Sequence, residues 1–181
     1  MNIEFLNKVS KLMFEIDVVK ASVKRATLPI EIGKYKVDLD VEGTEIEIPR
    51  WASDKLVNKG IIELKIEELS LKDIRKILWK ESRESNLTKI DPQFYVKAKQ
   101  KIQKIINEIQ KEPTPEKIQE KRGYESTFMD IINCRIQKIL QLAMVETVPP
   151  NILENMTIEE KMLLTEIKQV ILTWKEQLRG E

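Results

Sequence analysis

Reaction chemistry in this chain would have to come from lysine, arginine, carboxylates, hydroxyls and one thiol. Histidine is absent and Cys134 is the only cysteine. No Ser-His-Asp or Cys-His nucleophile pair, His-ligated zinc or histidine general base can therefore form. A single cysteine also rules out an internal disulfide and a cysteine-based zinc site. It is compatible with an intracellular, reducing compartment. Cys134 follows the apolar pair Ile131-Ile132 and reads as a small hydrophobe rather than a nucleophile, since no base stands ready to activate it. Asp38 with Asp40, and Glu159 with Glu160, are the carboxylate pairs worth weighing. The first pair falls on the polar face of a strand. The second falls in the first turn of a helix, where carboxylates favour the dipole. Gly33-Lys34 lacks the upstream glycine and the following Ser/Thr of a phosphate-binding loop. Neither a catalytic set nor a metal or cofactor site is expected, and the chain is read as a non-enzyme.

Two stripes of positive charge have the spacing to meet phosphates. Lys72, Lys76, Lys80 and Arg83, with Arg75 nearby, share one helix face, and Lys97, Lys101 and Lys104 share another. Such faces bind polyanions with steep salt dependence. They are also the ordinary solvated side of an amphipathic helix, which is the first expectation here. No aromatic side chain is read into these faces, so a stacking platform for single strands is not expected. The net charge of the 181 residues is +1, from 31 basic and 30 acidic side chains, which argues against a general nucleic-acid binder.

These residues must be positioned by two differently patterned regions. With 41% hydrophobic and 34% charged residues, the chain has material for a core and a solvated surface. No apolar run approaches the roughly 18 residues of a membrane span, and the first nine residues lack a signal-peptide core. Residues 2–13 read as a short helix with Ile3, Leu6, Val9 and Met13 as its stripe. Ile16 to Lys24 is a candidate strand. Residues 29–48 alternate apolar and polar side chains (Ile30 and Ile32; Tyr35, Val37, Leu39 and Val41; Ile46 and Ile48), with turns at Gly33-Lys34 and Gly43. Pro49 stops the last of these strands. A short helix then runs from Trp51 to Asn58, Gly60 supplies its left-handed end, and Ile61 to Leu64 is one more strand.

From Ser70 the period becomes helical. Ser70 and Asp73 form a capping box for a helix to about Arg83, with Leu71, Ile74, Ile77 and Leu78 inside. Asp91-Pro92 opens a second helix with the stripe Phe94, Ala98, Ile102, Ile105, Ile106 and Ile109, and Thr114-Pro115 opens a third. Gly123 is placed to interrupt that third helix. Beyond it, Phe128, Met129, Ile131, Ile132, Ile136, Ile139, Leu140 and Ala143 cover more than one face. Pro149-Pro150 ends it, and Thr157 with Glu160 caps a last helix to about Leu178. The expected fold is α+β: a small β-rich domain over residues 1–66, then a helical bundle domain over 70–181.

The apolar coverage of the 124–144 helix exceeds what three neighbours in a small domain would hide. Burial against another chain is the natural consequence, and Phe128, Met129, Ile132, Met144 and Trp174 are the candidate subunit-interface residues. Core packing is the first expectation for all three tryptophans, with Trp51 as the small domain's anchor. Phe94, Tyr95, Ile139 and Leu163 are core candidates of the helical domain. Lys72, Lys76, Lys97 and Lys101 are the candidate DNA contacts.

Four stretches, in this order, resemble the GINS complex subunits of DNA replication. They are Ile48-Pro49-Arg50-Trp51-Ala52 followed by Gly60-Ile61-Ile62; Asp91-Pro92-Gln93-Phe94-Tyr95; Arg135 to Ala143, with its Arg-x-x-Lys-Ile-x-x-x-Ala pattern; and Met156-Thr157-Ile158-Glu159-Glu160. The arrangement is similar to the archaeal branch with the small β domain first and the helical domain second. The likeness runs from about residue 16 to the end, with the 112–123 segment individual to this chain. It implies a non-catalytic scaffold, without cofactors, in a heterotetramer with a second GINS subunit of swapped domain order. It further implies that the complex bridges the MCM helicase and a RecJ-like, Cdc-type protein, with primase as a further contact. DNA would be touched indirectly or weakly, and no membrane is involved. The implied location is cytoplasmic and nucleoid-associated, or nuclear in a eukaryote. The alternative is a DNA-binding accessory protein using the basic helix faces.

Overall fold

Alternation in the first third of the chain folds as its period demands. In the computed structural model, the backbone is described for residues 3–32, 35–65 and 68–179. Side chains are described for the same residues except 3–7, 10, 32, 35 and 36. The turn expected at Gly33-Lys34 lies outside the described residues, as do the side chains of Ile3, Leu6, Ile32 and Tyr35.

Residues Lys11–Glu68 form one compact unit. It contains the end of helix α1 (Ile3–Ile16), strands β1 (Val18–Val23), β2 (Ile30–Ile32), β3 (Tyr35–Val37), β4 (Glu45–Pro49) and β5 (Ile62–Leu64), and helix α2 (Arg50–Asn58). β1 is the middle strand of an antiparallel sheet ordered β4-β1-β5, and β2 pairs with β3 as a separate antiparallel ribbon. Val19, Ala21 and Val23 point inward on β1 while Val18 and Lys20 face solvent, the period-two signature of a half-buried strand. With Leu39, Ile48, Leu56 and Ile62, Ala21 and Val23 make the small core. Gly43 takes φ +84 in the turn before β4, and its N–H donates to the Val23 carbonyl at 2.8 Å. Gly60, at φ +67, closes α2: its N–H donates to Val57 O at 2.9 Å, and that of Ile61 donates to Leu56 O at 3.0 Å. This is the paired bonding of a left-handed helix stop, and a side chain at Gly60 would be strained there.

Three expectations for this unit are corrected. Met13 is 57% exposed, and Phe14 is the buried side chain among the described residues of α1, lying under the Arg50 guanidinium at 4.0 Å. Val41 is exposed, because β3 ends at Val37 and the chain then leaves the strand. Trp51 is not a core anchor. The inward face of α2 is Ala52, Ser53 and Leu56, and a residue at position 51 lies roughly 150° from the centre of that face at 100° per residue; Trp51 is 47% exposed.

The other unit is helical and takes in the start of α1, as far as Ser10, and the chain from Leu69, with α3 (Leu71–Arg83), α4 (Phe94–Lys111), α5 (Pro115–Met144), α6 (Pro150–Leu153) and α7 (Ile158–Arg179). The Ser70/Asp73 capping box forms on α3, Thr114 Oγ1 accepts from the Lys117 N–H on α5, and Thr157 with Glu160 caps α7. α4 starts later than expected. Asp91 makes a turn instead of a cap, its Oδ1 accepting the Gln93 N–H at 2.7 Å, and the helix begins at Phe94. α6 is an extra turn with Pro150 at its first position, where a missing N–H costs nothing.

The expected break at Gly123 does not occur; α5 runs through it for 30 residues. A Cβ at Gly123 would sit 3.5 Å from Leu71 Cδ2, an ordinary contact. Gly123→Ala should therefore stabilise the unit by about 0.5–1 kcal/mol through helix propensity and a less free unfolded chain. A lower urea midpoint for the variant would show that α5 needs the closer approach.

Candidate functional site

The helical unit holds two apolar clusters with a charged joint between them. One cluster gathers Ile74, Phe94, Ala98, Ile105, Tyr124, Phe128 and Ile131, and the other Leu87, Ile139, Ala143, Val148, Ile152, Met156 and Leu164. On α5 the inward positions step from Ile131 to Arg135 to Ile139, and Arg135 is wholly buried. All five of its N–H groups are used. Nε donates to Glu160 Oε1 at 2.6 Å. Nη1 donates to Glu81 Oε2 at 2.7 Å and Thr88 O at 2.9 Å. Nη2 donates to Glu160 Oε2 at 2.8 Å and Asn155 O at 3.0 Å.

Lys138, one turn on, donates to Glu81 Oε1 at 2.6 Å and to the carbonyls of Glu81 and Asn86. Glu81 also accepts from the Thr88 hydroxyl and N–H, and Glu160 from the Tyr95 hydroxyl and the Thr157 N–H. Two cations and two carboxylates cancel. Their bonds tie α3, α4, α5 and α7 together with the loops after α3 and before α7. Burial pushes the Glu81 carboxyl up, but bonds from Lys138 and Thr88 and the Arg135 charge outweigh it and hold the group below the usual carboxylate range. Burial, with the charge and bond of Glu160, pushes the Tyr95 hydroxyl far up. Burial would lower Arg135, yet Glu160 and Glu81 hold it firmly charged. A saturated, neutral, buried cluster of this kind fixes helix register and offers no reactive group.

The carboxylate Glu160 is thus more than a cap, and Glu81 is a partner that sequence spacing missed. The signal lay in the Arg-x-x-Lys spacing of Arg135 and Lys138, the two charged residues between Ile131 and Met144 of α5. Asp38 and Asp40 are both exposed, and Cys134 is half-buried.

Outside the core, α5 carries a second apolar stripe. Met129, Ile132, Ile136, Leu140 and Met144 recur every three or four residues, roughly 120° around the helix from the buried stripe. Met129, Leu140 and Met144 are exposed, Met144 at 64%, and Ile132 and Ile136 are half-buried. Phe128, expected at an interface, is instead 7% exposed. Its ring packs with those of Phe94 and Tyr95, at 5.8 and 6.2 Å between centroids. It lies on the inward face of α5, and so its apolarity is spent within the unit.

On α7 the stripe that begins buried at Leu164, with Leu163, Ile167 and Ile171 packed beside it, continues as exposed Val170, Trp174 and Leu178. Lys168 of α7 reaches the Glu146 carbonyl just past the end of α5. None of the three tryptophans is core: Trp79 is 57% and Trp174 59% exposed. Among the core candidates, Phe94 and Ile139 are buried, and Tyr95 and Leu163 are half-buried against the same clusters.

The two basic faces differ. On α4, Lys97 is half-buried and paired with Asp91, and neither Lys101 nor Lys104 lacks a partner. On α3, Lys72, Arg75, Lys76, Lys80 and Arg83 are all exposed. Trp79 stands among them with the Arg83 guanidinium 4.4 Å from its ring centre. The expectation of a basic face without an aromatic is therefore corrected, because Trp79 points outward with the cations rather than into the core.

A charge-locked helical bundle that leaves an apolar stripe uncovered, preceded by a small β unit, defines an assembly subunit. The chain matches the family model of the GINS complex protein helical bundle domain (Sld5) over residues 68–179, and it belongs to that family. Its role is in the GINS complex of DNA replication, and it associates with other GINS subunits. The family is non-catalytic. No curated protein matches the chain. Among the described residues, no helix is long and apolar enough to cross a membrane.

Proposed function

We propose that this chain is the small-domain-first subunit of an archaeal-type GINS heterotetramer, two copies of it joining two of a related subunit with swapped domain order. The observation that carries this reading is the uncovered stripe of α5, Met129 to Met144, with three exposed members. Monomeric proteins rarely leave so regular an apolar row in water, and self-complementary or paired helices are the usual cover. Met129, Ile132 and Met144, joined by Ile136 and Leu140, are the interface residues of this reading, with Trp174 extending it along α7. The small domain, expected over residues 1–66 and compact from Lys11 to Glu68, is a module appended in sequence to the helical domain, 70–181. The assembled complex bridges the MCM helicase and a RecJ-like, Cdc-type protein and meets primase, in the nucleoid of an archaeal cytoplasm or in a nucleus. Its mechanism is scaffolding, in which binding energy holds the helicase in a competent state.

Light-scattering mass on a size-exclusion column tests the assembly, first with the chain alone and then co-expressed with the swapped-order candidate. A discrete species of two copies each is expected. A stable monomer that ignores the candidate overturns the reading.

A further inference from the structure

The outer face of α3 is not used by the assembly argument. Lys72, Arg75, Lys76, Trp79, Lys80 and Arg83 fall within roughly 140° of helix surface at 100° per residue, opposite Ile74 and Glu81, the side chains α3 buries. Five cations stand there against two carboxylates. Asp73, 3.9 Å from Lys76, is already engaged by the Ser70 hydroxyl and N–H as a helix cap, and Glu84 lies exposed at the C-terminal edge of the face. The concentration of charge is local, since the whole chain carries only +1. An open groove of about 920 Å³ runs along this face, with Lys72, Arg75, Lys76 and Trp79 in its lining. Trp79 and Lys80 also border a second groove, of about 550 Å³, whose lining includes Glu84, Asn86 and Asn151. The indole is thus a ridge between a track of cations and a row of amides, more than half exposed and backed by a guanidinium.

We infer that this face binds single-stranded nucleic acid, with phosphates along Lys72, Lys76 and Lys80 and an unpaired base stacked on Trp79. Charge complementarity favours a polyanion, because five cations outnumber the two carboxylates beside them, one of which is already occupied as a cap. The aromatic selects among polyanions. A base can stack on an indole only when it is out of a duplex, every nucleotide of a single strand brings such a ring, and an acidic segment such as polyglutamate brings none. The Arg83-Trp79 pair would become a three-layer stack, guanidinium, indole and base. This inference does not rest on the GINS assembly reading, because α3 presents the face in the isolated chain.

The test uses the full chain carrying Trp51→Phe and Trp174→Phe, so that Trp79 is the only indole, together with an oligothymidylate, the matching duplex and polyglutamate. Oligothymidylate is expected to quench the emission and to bind with log K falling by about 3.5 per decade of salt, from five cations at about 0.7 each. In the otherwise unaltered chain, followed by anisotropy of labelled oligothymidylate, Trp79→Ala should weaken binding at least about tenfold. Lys76→Glu with Lys80→Glu should abolish it above about 200 mM salt. All these positions are exposed, and circular dichroism checks that each variant stays folded. Unchanged emission at saturating oligothymidylate overturns the inference. So does equal affinity for the duplex with no effect of Trp79→Ala. Polyglutamate bound as tightly as the oligonucleotide, with unmoved emission, would assign the face to an acidic protein segment instead.

Discussion

Arg135→Met should destabilise the helical unit by roughly 3–5 kcal/mol, the cost of removing one partner from a buried ion cluster. The variant keeps the stem volume of the side chain and deletes five donors at once. Glu160 then loses both of its guanidinium bonds, and Glu81 one of its own, in a site without water access. Urea unfolding followed by circular dichroism would show the midpoint fall by about 1–5 M, for a slope of about 1–3 kcal/mol per M. Adding Glu160→Gln should recover part of the loss, because the amide still serves the capping box with Thr157 while the orphaned charge is gone. A loss under about 1 kcal/mol for Arg135→Met would mean that the cluster is not what joins the two apolar halves.

The same cluster sets an acid limb. Glu81 is held below its ordinary range when folded, so the unfolded chain takes up the proton first as pH falls. Its contribution is complete above the unfolded value, about 4.3, and fades as pH drops through the lower folded value. Glu81→Gln should start less stable at neutral pH and lose less between about pH 5 and about pH 3. An unchanged slope would place the acid sensitivity elsewhere.

Met129→Lys combined with Leu140→Lys should abolish assembly and leave the monomer folded. Both side chains are about half exposed in the chain, and surface changes of this kind usually move stability by no more than about 0.5 kcal/mol. In an assembly each buried apolar side chain contributes about 1.5–3 kcal/mol, so losing two weakens association by two to four orders of magnitude. The control is Ile139→Lys, four residues from Arg135 on the buried stripe and 1% exposed, which should unfold the unit instead. Light-scattering mass and a urea melt on each variant separate the two outcomes. Parallel loss of folding and assembly in the Met129/Leu140 variant would show that this stripe belongs to the core.

Periodicity and caps were readable along the chain because both are local. The alternation of Ile46 and Ile48, the left-handed stop at Gly60 and the Ser70 and Thr157 capping boxes depend on residues within a few positions of one another, and they stand where spacing placed them. The apolar excess of α5 was equally legible, since it counts residues on a helix whose period is known. What that count leaves open is which stripe is spent inside. Phe128 and Met129 are neighbours and differ by one 100° step. Only the positions of Phe94 and Tyr95 put the first in the core and leave the second in water. The tryptophans follow the same rule. Their size argues for burial, but Trp51 and Trp79 each fall on the side of a short helix opposite its packed face.

The buried cluster marks the limit most sharply. Arg135 and Lys138 were visible as a pair, yet Glu81 is 54 residues from Arg135 and Glu160 is 25 away. A surface cation and a buried one look alike in a sequence, because what makes the difference is the low-dielectric surrounding supplied by other helices. Residue type and spacing settled the α+β order, the capped starts of α3, α5 and α7 and the family likeness, but not the start of α4. The tertiary structure alone decided which charges were neutralised inside, and which apolar and aromatic faces were left exposed.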